Sequence, residues 1–126
     1  MEADLSALRA AWSREDLLAV SAEARALIEA NPALGGGWGE VAQLALEAGD
    51  ALAARDAAEA LVTALPGNQE SWLWLASCEA TLGRLDAALD IVRRQLAGAP
   101  DDAALNRRLG RYLLEAGRAA EAERHF

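Results

Sequence analysis

Nowhere along the 126 residues do apolar and polar positions alternate long enough to build a half-buried strand. The stretches between chain breakers are rich in Ala, Leu, Glu, Arg and Asp and poor in β-branched residues, a mixture that favours helix. Residues four apart in such a stretch, Leu73 with Ser77 or Arg107 with Arg111, share one side of a helix. The breakers are periodic. Pro32, Pro66 and Pro100 are the only prolines and follow one another at intervals of 34, while Gly49, Gly83 and Gly117 keep the same interval, each 17 after a proline. Proline removes a backbone donor and clashes inside a helix, and glycine tolerates the left-handed turn that ends one. Two breakers per period predict two helices per period, each of about 12 to 15 residues. A period of this length is that of one helix-turn-helix unit in a stacked array.

Four units begin at residues 1, 35, 69 and 103. In the third, Trp72, Leu75, Ala76, Gly83, Ala88 and Pro100 fall at positions 4, 7, 8, 15, 20 and 32. The second repeats this with Trp38, Val41, Ala42, Gly49, Ala54 and Pro66; the fourth supplies Leu109, Gly110, Gly117, Ala122 and Phe126, with Asn106 in place of tryptophan. Over residues 35–126 the pattern resembles the tetratricopeptide repeat. The resemblance implies an all-α protein, a right-handed α-solenoid of about four stacked helix-turn-helix repeats in a single domain. Residues 1–34 form a divergent capping repeat or plain helical hairpin, 35–68 and 69–102 are full repeats, and 103–126 is a truncated one.

The units depart from the family in two ways. Position 11, where the family prefers Tyr, holds Ala11, Ala45, Glu79 and Leu113. Position 24 holds Ala24, Ala58 and Val92 while position 27 carries Leu27, Leu61 and Gln95, so bulk is expected to have moved one turn along the second helix. No glycine divides the helices of the first unit; Ser13, followed by Asp16, is expected to N-cap its second helix.

Charge narrows the partners. With 20 acidic residues against 12 arginines and no lysine, the net charge of −8 argues against nucleic acid, which needs a basic stripe. The balance is uneven: residues 1–90 carry −10 and residues 91–126 carry +2. Cys78 is the only cysteine, so no intrachain disulfide is possible, and a structural thiol is expected. No signal peptide and no apolar run of membrane-spanning length is present, which makes the cytoplasm the expected compartment and leaves no membrane partner. Abundant alanine, with arginine as the only basic residue besides one histidine, suggests a bacterial source.

Catalysis would need a nucleophile beside a base, a metal cluster or a phosphate loop. His125 is the sole histidine, Glu121 and Glu123 do not face each other, and Gly35, Gly36 and Gly37 lack the strand and Gly-Lys-Ser/Thr of a phosphate loop. The three glycines are expected to give a flexible lead-in to the helix carrying Trp38. No catalytic residue, cofactor or metal is expected, and the chain itself is not read as an enzyme. Trp38 and Trp72 are assigned to the core and Trp12 to the junction of the first hairpin.

In the family, positions 2, 5, 6, 9, 12 and 13 line a concave groove. Carried over, they give Glu40 and Gln43, then Leu73, Trp74 and Ser77, then Arg107, Arg108 and Arg111. Such a floor suits a peptide or partner helix with an aromatic or aliphatic side chain against Trp74 and a carboxylate near the arginines. Otherwise Trp74 packs on a neighbouring helix and the arginines pair with Glu115 or Glu70. The lysine and asparagine clamp of chaperone-binding relatives is missing. Because the fourth unit ends at Phe126 inside its second helix, Leu113, Leu114 and Phe126 are expected to form an uncovered apolar stripe. That implies a fragment of a longer protein, or self-association through this end. Three functions follow: an interaction module, an N-terminal docking segment of a larger enzyme such as a transferase, or a homodimerisation scaffold.

Overall fold

The fold is taken from a computed structural model that describes residues 5–118 and Glu121. The described residues contain seven helices and no strand: α1 Ser6–Ser13, α2 Leu17–Ala30, α3 Gly37–Glu47, α4 Ala51–Ala64, α5 Gln69–Thr81, α6 Leu85–Gly98 and α7 Ala103–Glu115. They pair as hairpins and stack in chain order, an all-α helical-repeat solenoid.

Local chemistry explains the boundaries. Gly49, Gly83 and Gly117 close the first helix of their units at φ of 84°, 80° and 78°, a region that residues with a Cβ enter only under strain. The carboxylates of Asp16 and Asp50 accept from Ala19 N and Ala53 N and cap α2 and α4. Asn68 and Asp102 do the same for α5 and α7, 34 residues apart.

The first unit corrects one expectation. Ser13 is the last residue of α1 and caps nothing; Asp16 is the N-cap of α2. Between them Glu15 stands at position 15 with φ of 57°, the left-handed state that its counterparts fill with glycine. The hairpin geometry demands that state whatever residue occupies it. Glu15→Gly should therefore stabilise the chain by roughly 0.5–1 kcal/mol, because relief of about 1–2 kcal/mol of left-handed strain exceeds the roughly 0.4–1 kcal/mol of added unfolded-state freedom. Urea titration of the two proteins measures the difference. A loss of stability would show that Glu15 is held by something other than backbone geometry.

Two cores result. One runs from Leu5 and Leu8 through Val20, Trp38, Val41 and Leu61 to Leu75 and Cys78; the other gathers Ala76, Leu89, Val92, Leu105, Leu109, Tyr112 and Leu113. Helix α5 divides them, and Ile91 touches both. In the first, Ala11, Ala45, Ala54, Ala57 and Ala58 are wholly buried, so the helices approach closely, and Leu61 fills the space one turn beyond Ala58.

Three expectations about burial need revision. Trp12 is 39% exposed and does not seal the first hairpin. Trp72 is half-buried, its indole N–H donating to Pro66 O at 2.8 Å. Leu113 is fully buried in the second core and belongs to no exposed stripe, because it stands at the inward-facing position 11; Leu114 is exposed. Phe126, like His125, lies outside the described residues.

Polar links tie the units together. Asp50 accepts from the Ser21 hydroxyl, from Arg25 Nε at 2.7 Å and Nη2 at 2.8 Å, and from Ala53 N. Glu79, buried at position 11 in place of the family's tyrosine, is met by Arg55 Nε at 3.1 Å and Arg84 Nη1 at 3.4 Å. Burial alone would raise the Asp50 pKa; the bonds from Ser21, Arg25 and Ala53 outweigh it and hold the group below its ordinary 3.8. A carboxyl with a depressed native pKa contributes stability above its unfolded value and loses it as pH falls. Asp50→Asn is thus expected to destabilise at neutral pH, by an amount that shrinks as pH drops through 3.8 and below. Urea midpoints at neutral and acid pH read this, and a pH-independent gap would discount the ionised form.

Candidate functional site

One rule of stacking builds the site. Position 9 of each unit meets position 6 of the next, 31 residues on. At the first junction Arg9 donates to Glu40 through Nε at 2.6 Å and Nη2 at 3.2 Å. At the second, Gln43 and Trp74 wall the same cavity. At the third, Arg108 Nη1 donates to Ser77 Oγ at 2.7 Å.

Three cavities follow this seam along the first helices of the units. The first, about 300 Å³, has Gly36, Gly39 and Gln43 on one side and Trp74 on the other. The second, about 270 Å³, lies among Glu70, Leu73, Trp74, Ser77 and Arg108. The third, about 190 Å³, is bounded by Ser77, Thr81, Arg111, Tyr112 and Glu115. Trp74 is common to the first two and Ser77 to the last two, so the cavities form one row.

The sequence-predicted residues divide accordingly. Gln43, Leu73, Trp74, Ser77, Arg108 and Arg111 line the row. Trp74 is half-buried, packed on the first core while bordering two cavities. Glu40 is engaged by Arg9, which neutralises it, and Arg107 is exposed but lines none of the three cavities. The pairing of the arginines with Glu115 or Glu70 is not what the structure shows: among the described residues Arg107, Arg108 and Arg111 have no carboxylate partner. Arg108 also approaches Tyr112 OH at 3.5 Å, and the Arg111 guanidinium lies 5.3 Å from the Tyr112 ring centroid.

Sequence reasoning weighed Glu70 and Glu115 only as ion-pair partners and passed over Arg9 and Thr81, although the register itself names all four, at positions 2, 13, 9 and 13. It also places Trp12 at position 12, which accounts for its exposure.

Among the described residues no group of three or more His, Cys, Asp or Glu is placed to hold a metal ion. No described helix is long and apolar enough to cross a membrane. The row of cavities itself offers a ligand stacking, hydrogen bonding and charge.

Stacked helical hairpins with one open polar and aromatic face define a helical-repeat scaffold. More specifically, the chain belongs to the tetratricopeptide-repeat family, whose model matches residues 45–107. Among solved structures, a crystal structure of MamA superposes with a TM-score of 0.72 at 16% identity, covering 99% of this chain and 72% of that one. A second MamA crystal structure gives 0.70 at 17% identity over 96% and 68%, and a MamA point mutant 0.63 at 20% over 97% and 86%. At such identities the likeness concerns the fold. No curated protein matches the sequence.

Proposed function

We propose that this chain is a non-catalytic protein–protein interaction module that binds an extended peptide or short partner helix along its first-helix face. A large apolar side chain sits against Trp74, and carboxylates meet Arg108 and Arg111. The observation that carries this reading is the unbroken row of cavities through Trp74 and Ser77 to the arginines. Arginines without carboxylate partners among the described residues, in a chain of net charge −8, add to it, since acidic side chains are abundant and yet none of the described ones is so placed.

Trp and Arg at a central pocket are the residue types that dominate binding energy. Peptides selected on the chain from a random display library should carry Asp or Glu together with an aromatic or aliphatic residue. Trp74→Ala should weaken them by about 2 kcal/mol, roughly 30-fold, with the helical circular dichroism unchanged. Arg111→Ala should raise their dissociation constant and flatten its salt dependence. Affinities indifferent to both substitutions would reject the face.

A further inference from the structure

The junction between the first two units breaks the rules that the other two keep. Where units two and three meet, Trp72 Nε1 donates to Pro66 O at 2.8 Å; where three and four meet, Asn106 Nδ2 donates to Pro100 O at 3.0 Å. The equivalent donor at the first junction is Trp38, only 3% exposed, and its indole N–H has no partner among the described residues. Its equivalent acceptor, Pro32 O, is taken by Leu34 N at 3.0 Å. The chain has been turned. Asn31 ends α2 left-handed at φ of 50°, where Leu65 and Ala99 keep negative φ of −129° and −150°. Leu34 stands where Asn68 and Asp102 cap the following helix, and α3 has Gly36 at its N-cap and no side-chain cap.

A cleft of about 800 Å³ opens at this irregularity, the largest of the cavities described, on a side bounded by the second helices α2 and α4. Ile28, Leu34, Trp38 and Ala60 give it an apolar body, and Asp56 and Glu59 an acidic rim. Among the described residues no buried side-chain nitrogen lacks a partner, so the Trp38 N–H must reach solvent, and the cleft is the open space this ring borders. The rim carries unbalanced charge. Arg55 is divided among Asp56, Glu59 and Glu79, with Arg84 reaching Glu79 alone, which leaves three carboxylates to two guanidinium groups. Asp56 and Glu59 are 49% and 53% exposed and each keeps one oxygen without a bond.

We propose that this cleft is a second docking site that takes a basic, apolar segment of a partner polypeptide. A main-chain carbonyl of that segment accepts from Trp38 Nε1, the bond that Pro66 O makes to Trp72 within the chain. A Lys or Arg meets Asp56 and Glu59, and a Leu, Ile or Phe packs between Ile28 and Ala60. Local rules kept twice and broken once, with an unpaired donor facing open space and a cavity of ligand size beside it, are the mark of a position set aside for recognition.

Random-peptide display on the whole chain, carrying Trp74→Ala so that the first-helix face is silent, tests this independently of the function proposed above. Recovered peptides should be rich in Lys or Arg and in large apolar residues. Asp56→Asn with Glu59→Gln should weaken them about tenfold, and Trp38→Phe by a similar factor. Should Trp38→Phe impair folding, Ala60→Leu on α4 obstructs the cleft without touching the indole and should abolish binding. In a chain labelled with ¹⁵N at its tryptophans, the Trp38 indole resonance should move on adding a synthetic copy of a recovered peptide. Recovery of no basic peptide, of peptides indifferent to Ala60→Leu, or of ones that leave that resonance in place would overturn the site.

Discussion

Truncating Leu89 to alanine is expected to lower the free energy of unfolding by about 3 kcal/mol. Leu89 is 1% exposed on α6 and belongs to the second core with Leu105, Leu109 and Tyr112, so its removal deletes transfer energy and leaves a void among neighbours with no slack. A chain of this size has only about 5–15 kcal/mol in total, which makes the loss a large fraction. Leu18 supplies the control: at 86% exposure, Leu18→Ala should change stability by less than about 0.5 kcal/mol. Stacked units contact only their neighbours, so the damage should be local. Hydrogen exchange is expected to quicken in α6 and α7 first, while amides of α3 and α4, packed in the other core, keep their protection. Uniform loss across all helices would show that α5 and Ile91 weld the two cores into one cooperative unit.

The fold was legible because its punctuation is local. Proline and glycine mark boundaries through their own backbones, and Asp50, Asn68 and Asp102 cap through bonds three residues long. Misreadings arose where a local cue competed with the register. Ser13 looks like a cap in isolation, but counting by 34 puts residue 15 where Gly49 stands, and Glu15 accordingly bends left-handed ahead of Asp16. Leu113 looked uncovered from its nearness to the chain end, whereas position 11 faces inward in every unit and buries it.

The candidate face was partly readable for the same reason. Positions 6 and 9 identify Trp74, Ser77 and Arg108 wherever the unit repeats, yet the register says nothing about which of them consume one another. Only the packed side chains reveal that Arg9 neutralises Glu40 and that Arg108 leans on Ser77. The cleft beside Trp38 was beyond sequence reasoning altogether. It depends on the direction of a single carbonyl, that of Pro32, and on a left-handed Asn31, neither of which a pattern of residue types encodes.

Cys78 in the folded chain is expected to react with a water-soluble disulfide reagent at least about 100-fold more slowly than in the unfolded chain at about pH 8. Burial, aided by the charge of Glu79, pushes its thiol from the ordinary 9.0 up to about 11, and two pH units remove about 99% of the thiolate that does the attacking. The side chain is also 0% exposed, so even the remaining thiolate meets no reagent until the structure opens. The sign of the linked stability follows: the native state holds this proton more tightly, so the contribution is whole below 9.0 and is lost as pH rises from there toward 11. Labelling therefore reports opening, and it reports on a particular core. Cys78 belongs with Leu75 and Val41, Leu89 with Leu105. Leu89→Ala should leave Cys78 nearly as slow as before if the cores open separately, and accelerate it by about 150-fold, the factor equivalent to 3 kcal/mol, if they open together. Rapid stoichiometric labelling of the folded wild-type chain would contradict the burial of Cys78, and with it the close packing of α5 on the first core.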